Sequence, residues 1–274
     1  MGARVRDVGR TARRAPQRAS RRNGSRRKPG RLRGEVTTGQ RPVERPQREL
    51  KFAFPNRLAD LLRAWVDVRC RPDPAFAAGR IASIYFDLPG GALLDEKLNS
   101  DYLKTKVRLR WYGDWHTGRP AGSVFLEVKQ RIGGSRKKYR RPLDWAAADL
   151  DRRPLEDVRL LDVNRWLDAA GFRFGGPLRP AICLAYRRRR WLEPATGARI
   201  CLDQDIAPVR IHGAWGVVAR GQPLADGVFE VKGPDERLPA ALQPLIALGC
   251  RRESFSKFQR CLAQRRAPAP PAYA

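Results

Sequence analysis

Short stretches that alternate with period two constrain this chain most, because their charged residues fall on one face from stretch to stretch. In Val124–Arg131, Phe125, Glu127, Lys129 and Arg131 lie opposite Val124, Leu126 and Val128. In Val228–Lys232, Glu230 and Lys232 lie opposite Phe229 and Val231, and in Glu49–Phe52, Glu49 and Lys51 lie opposite Leu50 and Phe52. Val107–Trp111 sets Arg108 and Arg110 against Val107, Leu109 and Trp111. Arg199, Cys201 and Asp203 share a side, as do Tyr186 and Arg188.

For one such strand, an ordinary sandwich with charges turned to water explains the pattern. The set as a whole favours another arrangement. Glu-x-Lys recurs three times (Glu49/Lys51, Glu127/Lys129, Glu230/Lys232), and basic side chains share a face in nearly every candidate strand. A surface that needs only solubility would mix in Ser, Thr and Gln. An antiparallel sheet closed into a barrel, with charged faces in the lumen and apolar faces under helices, accommodates both features. The covering helices are expected at Arg57–Val66, capped by Asn56 and presenting Leu58, Leu61, Leu62 and Trp65, and at Leu155–Ala170, presenting Leu155, Val158, Leu161, Trp166 and Leu167 and stopped by Gly171. Leu238–Leu248 and Phe255–Ala263 complete the set.

Charge points to the partner. Across 274 residues, 56 Lys plus Arg stand against 28 Asp plus Glu, a formal net charge of +28 that predicts a polyanion. Residues 1–47 are Arg-rich and poor in large apolar residues, so they are expected to be a disordered basic tail that could also touch nucleic acid; the Pro/Ala-rich 265–274 is expected to fray. The folded domain is then 48–264. No apolar run matches a secretory signal or approaches the roughly 18 residues of a membrane span. Five widely spaced cysteines without a CxxC pair argue against disulfides and zinc and suit a reducing, cytoplasmic setting. Only two histidines, His116 and His212, are present, so His-centred triads and His-rich metal sites are not expected. Gly90–Gly91 and Gly133–Gly134 read as hairpin turns, Trp111 and Tyr112 as strand packing, and His116 as surface. Arg187, Arg189 and Arg190 read as an outer solvated face that could also widen a polyanion entrance.

In chain order the motifs RELKF (48–52), SIYFD (83–87), RLRWYG (108–113), FLEVK (125–129), KYRRPL (138–143), AYRRR (185–189), RICLD (199–203), VFEVK (228–232) and SFSKF (254–258) resemble the VTC-type domain, the polyphosphate polymerase module of the CYTH-like, triphosphate tunnel superfamily. That resemblance implies an α+β fold, an eight-stranded antiparallel β-barrel tunnel flanked by helices. Its basic lumen would hold a nucleotide triphosphate and a growing polyphosphate chain. Carried over position by position, the phosphate-binding set is Lys51, Arg108, Arg110, Lys129, Lys138, Arg188, Arg199 and Lys257, with Tyr186 and Ser256 as hydroxyl donors and Glu230 as the ligand of Mn²⁺ or Mg²⁺. Three positions depart from the family pattern: Cys201 replaces Thr, Phe258 replaces Tyr, and Ser254 stands where eukaryotic members carry Lys. Those members also attach an inositol-phosphate sensor and membrane helices, so coupled export here implies a separate membrane partner.

The residue types suit phosphoryl transfer, which depends on positioning and charge neutralisation. Arg binds phosphate as a planar fork and Lys as a movable point charge. The acceptor, a terminal phosphate, is already largely ionised near neutral pH, so no general base is required. The implied activity is transfer of the ATP γ-phosphate to polyphosphate. Two alternatives stay open at this level: a triphosphatase in which Glu49 or Glu127 orients water, and a polyanion binder without turnover.

Overall fold

The alternation is realised as one antiparallel sheet. In a computed structural model, which describes residues 48–99, 102–133, 135–216 and 222–264, the elements run β1 (Arg48–Pro55), α1 (Ala59–Asp67), β2 (Arg71–Pro72), β3 (Ala78–Asp87), α2 (Ala92–Asn99), β4 (Leu103–Gly113), β5 (Pro120–Ile132), β6 (Ser135–Ala146), α3 (Ala147–Arg152), α4 (Asp162–Ala169), β7 (Arg179–Leu192), β8 (Arg199–Ile211), β9 (Asp226–Gly233), β10 (Arg251–Arg252) and α5 (Lys257–Ala263). The segments expected to be disordered, 1–47 and 265–274, lie outside the described residues.

Strand order is β10-β1-β9-β8-β7-β3-β4-β5-β6, with the two-residue β2 paired to β7. The expected closed eight-stranded barrel is therefore corrected to a ten-stranded open sheet, in which β10 and β6 form edges not bonded to each other among the described residues. Their composition accounts for this. β10 is two arginines long, and β6 carries Arg136, Lys137, Lys138, Arg140 and Arg141. Short, cationic edges with like charge resist pairing.

Strand alternation divides apolar from ionic surface as the sequence predicts. On one side, Ile84, Val107, Leu109, Trp111, Val124, Leu126 and Val128 pack under Leu150, Leu160, Val163 and Leu167 from the segment 147–169. Beside them on the same outer face, Phe52, Phe54, Ile200, Leu202, Phe229 and Val231 pack under Leu62 and Val66 of α1 and under Leu242 and Leu245. Each fully buried side chain of this size contributes roughly 1.5–3 kcal/mol, so these two layers hold the sheet. A third apolar cluster lies on the opposite, inner face. There Phe258, Cys261 and Leu262 of α5 pack on Ala53, Ile81, Tyr85, Leu184, Tyr186 and Val228. Tyr85 and Phe258 stack in parallel at 5.0 Å. Thus α5 fills part of the concave face, and the ionic residues occupy the rest.

Several local expectations change. Asn56 does not cap α1. Residues 56–58 form a 3₁₀ turn, and the Asn56 amide instead donates to the Leu224 carbonyl at 2.6 Å. The buried face of α1 is Ala59, Leu62 and Val66, which leaves Leu61 exposed. The segment 155–170 is not one helix: Asp157 accepts from the Arg159 amide and starts a 3₁₀ turn at 158–161, turning Val158 to solvent before α4 begins. Leu238–Leu248 contains only a 3₁₀ segment, 240–245, which includes Pro244. Gly171, at φ 81°, does end α4, as expected of a residue free to adopt a left-handed conformation. Gly133 turns the β5–β6 hairpin, whereas Gly90–Gly91 connects β3 to α2. At Gly227 a β-carbon would lie 2.4 Å from the Phe54 ring and 2.6 Å from the Asp203 carbonyl, so only glycine admits this close approach of β9 to β1 and β8.

Candidate functional site

The concave face encloses a cavity of about 1400 Å³. Lys51 of β1, Arg110 of β4, Lys129 of β5, Lys138 of β6, Arg188 of β7 and Arg199 of β8 line it, six expected phosphate ligands from six strands. Their convergence follows from the pleat: each occupies an inward position of a strand whose alternate residues fill the apolar layers.

Behind this wall the cations are organised around buried carboxylates in two clusters. In the first, Arg108 Nε and Nη2 donate to Glu127 Oε2 at 2.8 and 2.6 Å, and Nη1 donates to the Tyr85 hydroxyl at 2.9 Å. Arg110 Nη1 lies 3.8 Å from Glu127 Oε2, and Arg140 Nε lies 3.6 Å from Oε1. Arg110 is braced by Ser83 Oγ and the Tyr186 hydroxyl, each 3.2 Å away. Burial alone would raise the Glu127 pKa, but Arg108, Arg110 and Arg140 hold it at about 2. Tyr85 behaves similarly: burial opposes ionisation, yet Arg108 and Arg110 lower its phenol to about 8.

The second cluster centres on Asp203 and Glu230. Arg188 Nε and Nη2 donate to Asp203 Oδ1 and Oδ2 at 2.5 and 2.6 Å, and Nη2 also donates to Glu230 Oε2 at 3.0 Å. Lys257 Nζ lies 2.5 Å from Asp203 Oδ2 and 3.3 Å from Glu230 Oε1. Lys51 and Lys232 approach Glu230 at 3.6 and 3.7 Å, and Lys232 also pairs with Glu49 at 3.3 Å. Burial would push the Glu230 carboxyl up, but Lys257, Lys51, Arg188 and Lys232 take it well below the usual range. The same contacts raise Lys257 against the effect of burial.

Lys129 lies between the clusters. Partial desolvation, then Arg108 and Lys232, lower its ammonium to about 7 against the opposing Glu49 carboxylate, although the residue stays exposed to the open cavity.

Of the remaining expected residues, Arg108, Lys257, Tyr186 and Glu230 stand in these clusters. The Ser256 hydroxyl caps α5 and accepts from the Gln259 amide at 3.5 Å. Sequence reasoning missed Asp203 and Lys232 as partners, although both sit on the faces already identified as charged. Arg190 lines the cavity, and Tyr112, packed edge to face on Phe125 as expected, also borders it. Arg190 shares the inward face with Arg188, while Arg187 and Arg189 pack over Trp115. Trp111 is buried in the core as expected.

No three metal-ligating side chains converge among the described residues. Both Glu230 oxygens face cations, and a divalent ion there would meet three ammonium groups and a guanidinium. The residues present do not fit an ion held by the protein alone, and no step below is routed through one. No described helix is long and apolar enough to cross a membrane. All five cysteines are free and buried, with Cys250 and Cys261 pushed up to about 12 by that burial, which makes them poor nucleophiles.

The family model of the VTC domain matches residues 47–265. None of the curated proteins matches. Similar solved structures include a proposed adenylate cyclase from Vibrio parahaemolyticus, with 15% identity, coverage of 79% of this chain and 97% of that one, and a TM-score of 0.41. A second proposed adenylate cyclase, from Bacillus halodurans, has 13% identity, coverage of 77% and 95%, and a TM-score of 0.43. The PH1012 protein of Pyrococcus horikoshii has 10% identity, coverage of 80% and 92%, and a TM-score of 0.33.

Proposed function

The chain belongs to the VTC domain family, and on that footing we propose that it transfers the terminal phosphoryl group of ATP to a polyphosphate chain inside the basic cavity. The observation that carries this is the convergence of Lys51, Arg110, Lys129, Lys138, Arg188 and Arg199 on one enclosed space. In the empty protein these cations repel one another, and carboxylates set behind them offset part of their charge. A polyphosphate or triphosphate supplies the missing negative charge along its length. Arg110 and Arg188, already held by Tyr186 and Asp203, face the cavity as preset donors for charge developing in the transition state.

Transfer is favoured over hydrolysis by the state of the carboxylates. A residue that activates water must accept its proton, yet Glu127 is held near 2 by three arginines, and Glu49, although burial opposes this, is lowered chiefly by Lys51 and Lys232. Neither is a competent base near neutral pH. A terminal phosphate is largely ionised there and needs none. An ion-paired cavity without a competent base supports a phosphate acceptor over water.

The test is incubation of purified protein with ATP and Mn²⁺ or Mg²⁺, followed by chain-length analysis. Chain growth is the expected result. Free phosphate without chains would identify a triphosphatase, and tight polyphosphate binding without turnover a carrier. The Glu230→Gln variant should retain polyphosphate binding while turnover falls, because Arg188, Lys257 and Lys51 lose the charge that positions them.

A further inference from the structure

We infer that Phe125, Tyr112 and Arg140 form a stacking platform for the nucleobase of the triphosphate, a subsite that rests on the phosphoryl-transfer reading above. Phe125 shares the inward face of β5 with Glu127 and Lys129, and it is the direct cross-strand partner of Arg110 on β4. It therefore sits one side-chain step from the phosphate-binding cations. Tyr112 meets it edge to face, with ring centroids 6.1 Å apart and an interplanar angle of 73°.

Arg140, from the neighbouring β6, lies with its guanidinium 3.8 Å over the Phe125 ring and 5.9 Å from the Tyr112 ring. Its position is fixed from two further sides: Nη2 donates to the Tyr112 hydroxyl at 3.0 Å, and Nε lies 3.6 Å from Glu127 Oε1. A guanidinium this close to a ring and tethered on two sides offers a weakly hydrated delocalised cation, a group on which a heterocycle can stack. Its side chain is 37% exposed, and the three residues all line the cavity.

The adjacent wall leaves room for a ring system. It consists of Ala121, Gly122 and Ser123, and a β-carbon added at Gly122 would meet nothing within 4 Å. This sector thus combines a flat cationic and aromatic floor with small side chains, whereas the β4–β6 wall beyond it is lined by Lys104, Lys106, Lys129, Arg131, Lys137 and Lys138. Stacking engages the π-face that every base has, so the platform takes adenine and guanine alike.

Calorimetric titration of the full chain with ATP, GTP and inorganic tripolyphosphate tests the assignment. Phe125→Leu keeps the apolar volume and removes the ring. It should weaken ATP and GTP by about tenfold and leave tripolyphosphate within about twofold. Arg140→Lys keeps the charge, removes the plane, and acts on a side chain 37% exposed on an edge strand, so it serves should the first variant fold poorly. It should weaken ATP by several-fold more than tripolyphosphate. Equal weakening of all three ligands, or ATP affinity unchanged in both variants, overturns the platform alone. Wild-type protein that binds neither ATP nor tripolyphosphate overturns the phosphoryl-transfer reading and the platform with it.

Discussion

Lys129 should couple polyanion binding to proton uptake. In the empty protein partial desolvation, and then Arg108 and Lys232, lower its ammonium to about 7 from an ordinary 10.5, although the residue is exposed to the cavity. A bound triphosphate reverses the sign of the local field and returns the group towards its ordinary value. Above pH 7 binding must then draw in one proton, which costs about tenfold in affinity per pH unit, or about 1.4 kcal/mol. Between pH 6 and pH 8 the Lys129 contribution falls by roughly tenfold, and between pH 6 and pH 9 by roughly a hundredfold. The ligand's own ionisation works in the opposite direction, so the comparison is made with Lys129→Arg, in which the ligand is the same and the cation does not titrate. Calorimetry with tripolyphosphate in buffers of different ionisation enthalpy gives both affinity and proton uptake. The wild-type to Lys129→Arg affinity ratio should drop with slope near one above pH 7, accompanied by uptake of close to one proton. A ratio that stays flat from pH 7 to pH 9 would refute the reasoning. Stability should move the other way. The unfolded chain takes its proton near 10.5 and the folded one only near 7, so acidification through that window destabilises the empty protein. Lys129→Met should therefore raise the Tm of the empty protein at pH 7 while weakening tripolyphosphate binding.

Other consequences follow from the buried carboxylates. Glu127, with a folded value of about 2 against 4.5 unfolded, contributes stability that is fully present above 4.5 and lost as pH falls towards 2, on the order of 3 kcal/mol; a Glu127→Gln variant should show a shallower acid-unfolding profile by circular dichroism. Asp203→Asn leaves Arg188 and Lys257 sharing Glu230 alone, so urea unfolding should report a loss of roughly 3–5 kcal/mol, the cost of breaking a buried ion pair. Gly227→Ala drives a methyl group against the Phe54 ring and the Asp203 carbonyl and should lower stability by roughly 1–3 kcal/mol, with turnover falling further because Asp203 holds Arg188.

Much of the site was legible as strand faces. The pleat places residues i and i+2 together whatever the partner strand, so Glu127 with Lys129, Arg108 with Arg110, and Glu230 with Lys232 could be assigned to common faces from sequence alone. Which faces turn inward also followed, because Val107, Leu109, Val124, Leu126, Phe229 and Val231 leave their neighbours no other side. Helix boundaries were less legible. Asn56 has the chemistry of a cap but is drawn to the Leu224 carbonyl, a contact made across the fold that no local propensity encodes.

What the sequence by itself determined is therefore the two-sided character of each strand and the cationic surplus on the inner side, both consequences of local geometry and composition. The tertiary structure alone decided which carboxylate compensates which cation. Asp203 reaches Arg188 because β7 and β8 pair in one register, and Glu230 reaches Lys51 because β1 pairs with β9 from the far end of the chain. It alone decided the open edges at β10 and β6, the seating of α5 on the concave face, and the stacking of Arg140 on Phe125. Each of these depends on long-range strand pairing, and pairing is a choice among partners that the period-two pattern of a single strand leaves open.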